Sequence, residues 1–287
     1  MLPLSILEEE LIASSRDRIV AGDATAERVR LGNGPNWLLI PGGAGMGCNY
    51  LVELFERLNI DGSVWSFDLF DPKKGGRSDA DVIDSWRQSL REIVTQLGPC
   101  VLVGHSFGGM LALSTVGIES HLAALVLMDT SPDRGWEAAV ADTAKTIQCP
   151  DEKPCEKAFE ADPSELTLNR LFVAWAPYYF TSEFEEVGKD LLRRNSYQHE
   201  VYRIGQRGFC PGYETRLNLS GIPTYCLAGE RDVVTPLTLF AQSSVWNGGG
   251  VQYDSIARGG HFPWIENFDQ VAAVLGRVNT EIGRRKV

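Results

Sequence analysis

The chain has 287 residues, 44% of them hydrophobic and 23% charged, with a formal net charge of −11. That is apolar content enough for one large packed core, and acids scattered without a run of like charge favour solubility over a nucleic-acid or anionic-membrane partner. The N-terminus has no basic start followed by a long apolar run, and no stretch nears eighteen uninterrupted apolar residues, so neither secretion nor membrane spanning is expected, and a cytoplasmic protein is.

The first twenty residues, with "LEEELIASSRDRIV", predict an amphipathic packing helix ahead of a first strand at Glu27 to Leu31. Short apolar runs then alternate with segments of helical period: "WLLIPGG" with "NYLVELFERL", "SVWSFDLFD" with "DVIDSWRQSLREIVTQL", "CVLVGHS" with "FGGMLALSTVGI". This is the strand–helix–strand alternation of a parallel sheet. A further buried strand, "AALVLMDTSP", ends at Pro132. From 131 to 215 the chain is helical and aromatic-rich with no strand run, after which "IPTYCLAGERD", "PLTLFAQSSVW", "VQYDSI" and "NFDQVAAVLGRVNTEIG" resume the alternation. The expected organisation is an α/β core made of 1–130 and 216–287, carrying a helical cap inserted at 131–215, since an insertion between two strands leaves sheet pairing intact.

Six cysteines in a chain of this length do not make a disulfide framework. "CPDEKPC", from Cys149 to Cys155, lacks the spacing of a zinc site and has no histidine nearby, while a local disulfide between the two stays open. No metal or other cofactor is expected.

Ser106 sits in "VLVGHSFGGMLAL", between a strand and a helix. A serine hydroxyl is a weak nucleophile and needs a general base, a group that orients the base, and donors for the oxyanion formed on attack. Gly104 and Gly108 flank the serine and remove the β-carbons that would clash in a sharp turn. The helix that follows offers free N–H groups, Phe107 first.

Four histidines compete for the base. His105 adjoins the serine and is expected to point elsewhere, His121 opens a strand, and His199 lies in the insertion. His261, in the glycine-flanked "ARGGHFPWIEN" after the last strand, is the base expected at the carboxyl end of the sheet, where ligands gather. For the acid, Asp232 stands three residues past Gly229, with Asp129 at the end of an adjacent strand as second choice and Glu230 as a neighbour. "IPGGAGMG" supplies the second oxyanion donor through the N–H of Gly43 or Ala44.

With these residues the chain resembles the α/β-hydrolase superfamily: "GHSFGG" looks like its nucleophile elbow, "GERD" its acid turn, "GGHFPW" its histidine loop and "GGRS" its structural G-x-G-x-S turn. "PGGAG" is similar to the H-G-G-P-G motif of the proline iminopeptidase group, with Pro41 where that group has histidine and Ala44 where it has proline. The resemblance implies a serine hydrolase that cleaves a small-molecule ester or amide through an acyl-enzyme, as a carboxylesterase or an iminopeptidase-like aminopeptidase. A non-catalytic ligand binder and an acyltransferase are the alternatives. In the cap, Trp175 and Tyr179 are expected against substrate, and Glu183 is the candidate clamp for a substrate amine.

Overall fold

The computed structural model describes residues 18–70, 76–244, 246 and 250–284. Eight strands form one sheet: β1 Arg18–Ala21, β2 Ala24–Arg30, β3 Asn36–Ile40, β4 Val64–Leu69, β5 Cys100–His105, β6 Leu122–Met128, β7 Thr224–Gly229 and β8 Val251–Ile256. Their order is β1-β2-β4-β3-β5-β6-β7-β8. From β4 to β8 every neighbouring pair is parallel, and only the β1–β2 hairpin and its pairing with β4 are antiparallel.

Six of these strands coincide with the six apolar runs that begin at "WLLIPGG". The N-terminal reading needs correction. Residues 1–17 of the expected helix lie outside the described residues, and Arg18–Ala21 is a strand paired with β2, which itself starts at Ala24 rather than Glu27. The chain reverses at Gly22, whose φ of 49° suits glycine, and the alternation that buries Ala24 and Ala26 marks one face of a strand.

Alternation also builds the two halves of the core. Leu38, Ile40, Leu102, Leu125 and Leu127 pack on one face of the sheet, while Trp37, Leu39, Val101, Val103 and Val126 pack on the other. These central strands are buried on both faces because helices cover both, so their sequences read as continuous apolar runs. Helices α1 Asn49–Glu56, α2 Asp79–Leu97 and α3 Phe107–Leu113 follow β3, β4 and the serine turn. Ser78 starts α2 with a capping box, its hydroxyl accepting from the Asp81 N–H and the Asp81 carboxylate accepting from the Ser78 N–H. Gly75 of "GGRS" lies outside the described residues, and Arg77 pairs with Asp23 at 2.8 Å, tying that turn to the β1–β2 hairpin.

Between β6 and β7 come α4 Gly135–Thr143, α5 Glu152–Ala161, α6 Glu165–Ala174, α7 Ala176–Tyr179, α8 Glu185–Arg194 and α9 His199–Ile204. This helical insertion is stitched to the loop after β3, where Gly47 N–H donates to the Ser196 carbonyl at 2.9 Å and Gln198 N–H to the Gly45 carbonyl at 2.7 Å. Cys149 and Cys155, the pair left open as a disulfide, are both free thiols. His121 closes a short 3-10 turn just ahead of β6 instead of opening the strand. No helix among the described residues is long and apolar enough to cross a membrane.

Candidate active site

At the end of β5 the chain turns sharply into α3, and Ser106 occupies the turn with φ 50° and ψ −119°. A non-glycine residue here is strained by roughly 1–3 kcal/mol, and it persists because its surroundings hold it. Ser106 N–H donates to the Met128 carbonyl at 2.9 Å, and its own carbonyl accepts from Gly109 N–H at 3.0 Å and the Thr130 hydroxyl at 2.6 Å. The flanking glycines are dictated by close approach. A β-carbon on Gly108 would stand 2.3 Å from the Ile40 carbonyl oxygen, and one on Gly104 would stand 2.6 Å from the Gly109 backbone.

The structure brings Ser106, His261 and Asp232 into one hydrogen-bonded series. His261 Nε2 lies 3.1 Å from Ser106 Oγ, and Nδ1 lies 3.1 and 3.0 Å from the two oxygens of Asp232. Because Nδ1 faces a carboxylate it carries the ring proton, which leaves the Nε2 lone pair to accept from the serine hydroxyl. Asp232 is itself well supplied with donors: Val234 N–H at 2.9 Å, Thr235 N–H at 3.1 Å and the Thr235 hydroxyl at 2.8 Å. Burial pushes its carboxyl up, but the charge and hydrogen bond of His261 and these backbone donors outweigh that, so it stays below the ordinary carboxylate range.

His261 is fixed from the insertion as well as from the core. Its N–H donates to the Tyr179 carbonyl at 2.8 Å, and the Tyr179 ring stacks on the imidazole with centroids 5.6 Å apart. Glu266, one helical turn beyond, accepts from Gly260 N–H and from both the N–H and the hydroxyl of Thr181, each of the latter at 2.7 Å. One carboxylate thereby ties the histidine loop to the segment after α7.

His105 joins the remaining loops. Its Nε2 lies 3.0 Å from the His261 carbonyl and so carries the proton, while Nδ1 accepts from the Tyr50 hydroxyl at 2.8 Å. Tyr50 in turn accepts from Gly42 N–H at 2.5 Å. Burial, and next the charge of His261, pull His105 down to about 3, so it is neutral. Sequence reasoning assigned His105 no task, yet it links the glycine loop, the serine turn and the histidine loop.

Above Ser106 lies a cavity of about 420 Å³ that Gly43, Ser106, Phe107 and His261 help to line, within the size range of small-molecule sites. Among the described residues, neither Gly43 nor Phe107 donates its N–H to another backbone group. Of the residues expected against substrate, Trp175 and Tyr179 line the cavity, whereas Glu183 is exposed and does not reach it. The reason is local: Phe180 is buried against Phe262 and Thr181 is bound to Glu266, so the chain beyond them faces solvent.

The carboxylates at the cavity are instead Glu152 and Glu156, one turn apart on α5. Glu152 accepts from Trp175 Nε1 at 3.1 Å and from the Tyr178 hydroxyl at 3.2 Å. Burial, then the charges of Glu152 and Glu160, push Glu156 up. The only sequence signal was their i, i+4 spacing within "CPDEKPC" and its continuation, which reads equally as a solvated helix face. His199 is half-buried beside Glu165 at 3.2 Å and stands apart from the cavity lining.

A parallel succession from β4 to β8 with a strained serine at the end of β5 is the architecture of an α/β hydrolase. The chain belongs to the Alpha/beta hydrolase family, whose model matches residues 37–274. No curated protein sequence matches it. Among solved structures it is similar to an alpha/beta fold family hydrolase from Bacillus anthracis, with TM-score 0.68 and 17% identity over 91% of this chain and 97% of that one. It is likewise similar to a thermophilic esterase from Thermogutta terrifontis, with TM-score 0.63 and 17% identity over 92% and 98%. A proline iminopeptidase-related protein from Thermus thermophilus aligns with TM-score 0.62 and 18% identity over 90% and 94%. At these identities the likeness speaks for the fold.

Proposed function

We propose that this protein is a serine hydrolase in which Ser106 attacks a carbonyl carbon, His261 takes the serine proton and later delivers it to the leaving group, and Asp232 orients His261. The observation that carries this reading is the continuous series Ser106 Oγ, His261 Nε2, His261 Nδ1 and Asp232, at 3.1 Å and then 3.0 Å, opening onto a cavity. Attack converts the carbonyl oxygen to an oxyanion, which the N–H groups of Phe107 and Gly43 receive. Such preorganised donors contribute roughly 3–4 kcal/mol each to transition-state stabilisation. Collapse of the tetrahedral species leaves an acyl group on Ser106, and water, deprotonated by His261, removes it by the same route in reverse.

The substrate is a small carboxylic ester or amide bound under a cap formed by residues 131–215, with Trp175 and Tyr179 against it. The cavity's aromatic walls favour an apolar acyl or leaving group, and ester hydrolysis accounts for this with the fewest requirements. Glu152 and Glu156 favour a second reading, an amide substrate with a free amine, because among the described residues the cavity lining includes no lysine or arginine to receive an anion. Ser106→Ala should abolish both turnover of p-nitrophenyl acetate and labelling by a fluorophosphonate. Labelling of that variant at the wild-type level would remove Ser106 from the mechanism, and an unlabelled wild type would favour a ligand binder. A parallel screen of prolyl arylamides and short-chain esters separates the two substrate readings, and added alcohol or amine acceptors reveal acyl transfer through product partitioning.

A further inference from the structure

Next to Asp232 stands a second carboxyl group that the proposed chemistry does not use. Asp129 follows β6 with its backbone at φ 42°, and it is completely buried. One oxygen, Oδ1, accepts from Gly229 N–H at 2.8 Å, at the start of the turn that carries Asp232. The other, Oδ2, is buried with no donor among the described residues. One carboxylate oxygen each of Asp129 and Asp232 and one ring nitrogen of His261 lie within 4.8 Å of one another.

Two ionised carboxylates this close in a dry setting repel strongly, and one of them keeps a proton. Donors decide which. Asp232 is met by Val234 N–H, Thr235 N–H, the Thr235 hydroxyl and His261 Nδ1, all of which stabilise its charge. Among the described residues Asp129 has only Gly229 N–H. We infer that Asp129 is a neutral carboxylic acid whose Oδ2 hydroxyl donates to Asp232, making it a positioning residue for the acid. The unpaired Oδ2 is then a donor rather than an acceptor left unsatisfied. Burial first, and the negative charge of Asp232 second, push the Asp129 carboxyl well above its ordinary value. The titratable groups that face it are Asp232, Glu266 and His261, and the two acids both oppose its ionisation. By accepting from Gly229 and donating to Asp232, Asp129 holds the acid turn at two points and draws some negative charge away from the oxygen that faces His261.

The kinetic arm of the test rests on the hydrolase reading; the spectroscopic arm does not. With carboxyl-labelled aspartate, the infrared difference between wild type and Asp129→Asn at neutral pH should contain the C=O stretch of a protonated carboxylic acid. A wild type lacking that band overturns the inference whether or not the protein turns over an ester. In the pH profile of kcat/KM, Asp129→Asn retains one acceptor and one donor in the same places, so its acidic limb should stay within about 0.3 pH unit of wild type. An ionised Asp129 would make the same substitution remove a negative charge beside the imidazole and lower that limb by roughly a unit or more, which would also overturn it. Asp129→Leu removes the donor without changing charge, leaves Asp232 a stronger partner for the imidazolium, and should raise the limb. An unmoved limb in a folded Leu variant would reduce Asp129 to a packing role.

Discussion

The proposed nucleophile and base are legible residue by residue, because their signals are local or eliminative. Ser106 announces itself through glycines at −2 and +2 between a strand and a helix, and His261 is the one histidine of four in a loop after the last strand. The acid is less sharply marked: Asp232, in the turn three residues past the end of β7, is the first choice and Asp129, just after β6, the second, and it is Asp232 that lies 3.0 Å from His261 Nδ1. Asp232→Asn should lower kcat on an ester by about 10⁴ while leaving the fold intact, since an asparagine favours the wrong imidazole tautomer. A larger loss from Asp129→Asn would transfer the acid to β6. His105 carries a stability prediction. It stays neutral in the folded protein down to about pH 3, whereas the unfolded chain protonates it near its ordinary value of 6.5. The unfolded state therefore binds more protons between those values, so this contribution is complete above pH 6.5 and declines as pH falls through the window, by about 1.4 kcal/mol per pH unit at most. In urea unfolding, the stability difference between wild type and His105→Gln should shrink as pH is lowered from 7 to 4; a difference constant with pH would contradict a neutral buried His105.

At the scale of elements, the six strands from β3 to β8 and the helices that alternate with the first of them follow from the alternation of short apolar runs with segments of helical period. Runs such as "CVLVGH" are apolar on both faces because the sheet is covered on both sides. The β1–β2 hairpin is only half legible, because the helical pattern of the first residues extends through Val20, over all but the last residue of β1, and the strand signal is clear only from Glu27. The contact between the serine turn and the loop after β3 yields a prediction at this scale. Gly108→Ala would drive a β-carbon into the carbonyl oxygens of Ile40 and Pro41, at 2.3 and 2.6 Å, both backbone atoms. Overpacking of this kind costs roughly 1–3 kcal/mol. Thermal melting should therefore drop by several degrees, and ester turnover should fall further than stability does, because the displaced segment carries Gly43. A variant with wild-type melting temperature and turnover would show that the two loops move independently.

Over the whole molecule, the insertion does two things at once. It supplies the Tyr179 carbonyl and ring that hold His261, and it places Glu152 and Glu156 on the cavity. On the proposed reading, specificity and the orientation of the base are coupled through one segment. The carboxylates predict a charge preference: Glu152→Gln should raise KM for substrates bearing an amine, by about 10-fold for a charge-assisted hydrogen bond lost, and leave KM for neutral esters within a factor of two or so. Equal effects on both substrate types in steady-state kinetics would assign Glu152 to holding Trp175 and Tyr178 instead.

By itself the sequence determined the parallel α/β core, the serine turn and the histidine loop, since each rests on periodicity or on backbone conformations that few residues adopt. Tertiary structure alone decided which glutamates of the insertion face the cavity and that His105 joins three loops. Those outcomes depend on the direction of individual side chains between segments distant in sequence. A change of one residue in helical phase would turn a cavity-lining carboxylate such as Glu152 toward solvent, with no local mark to distinguish the two.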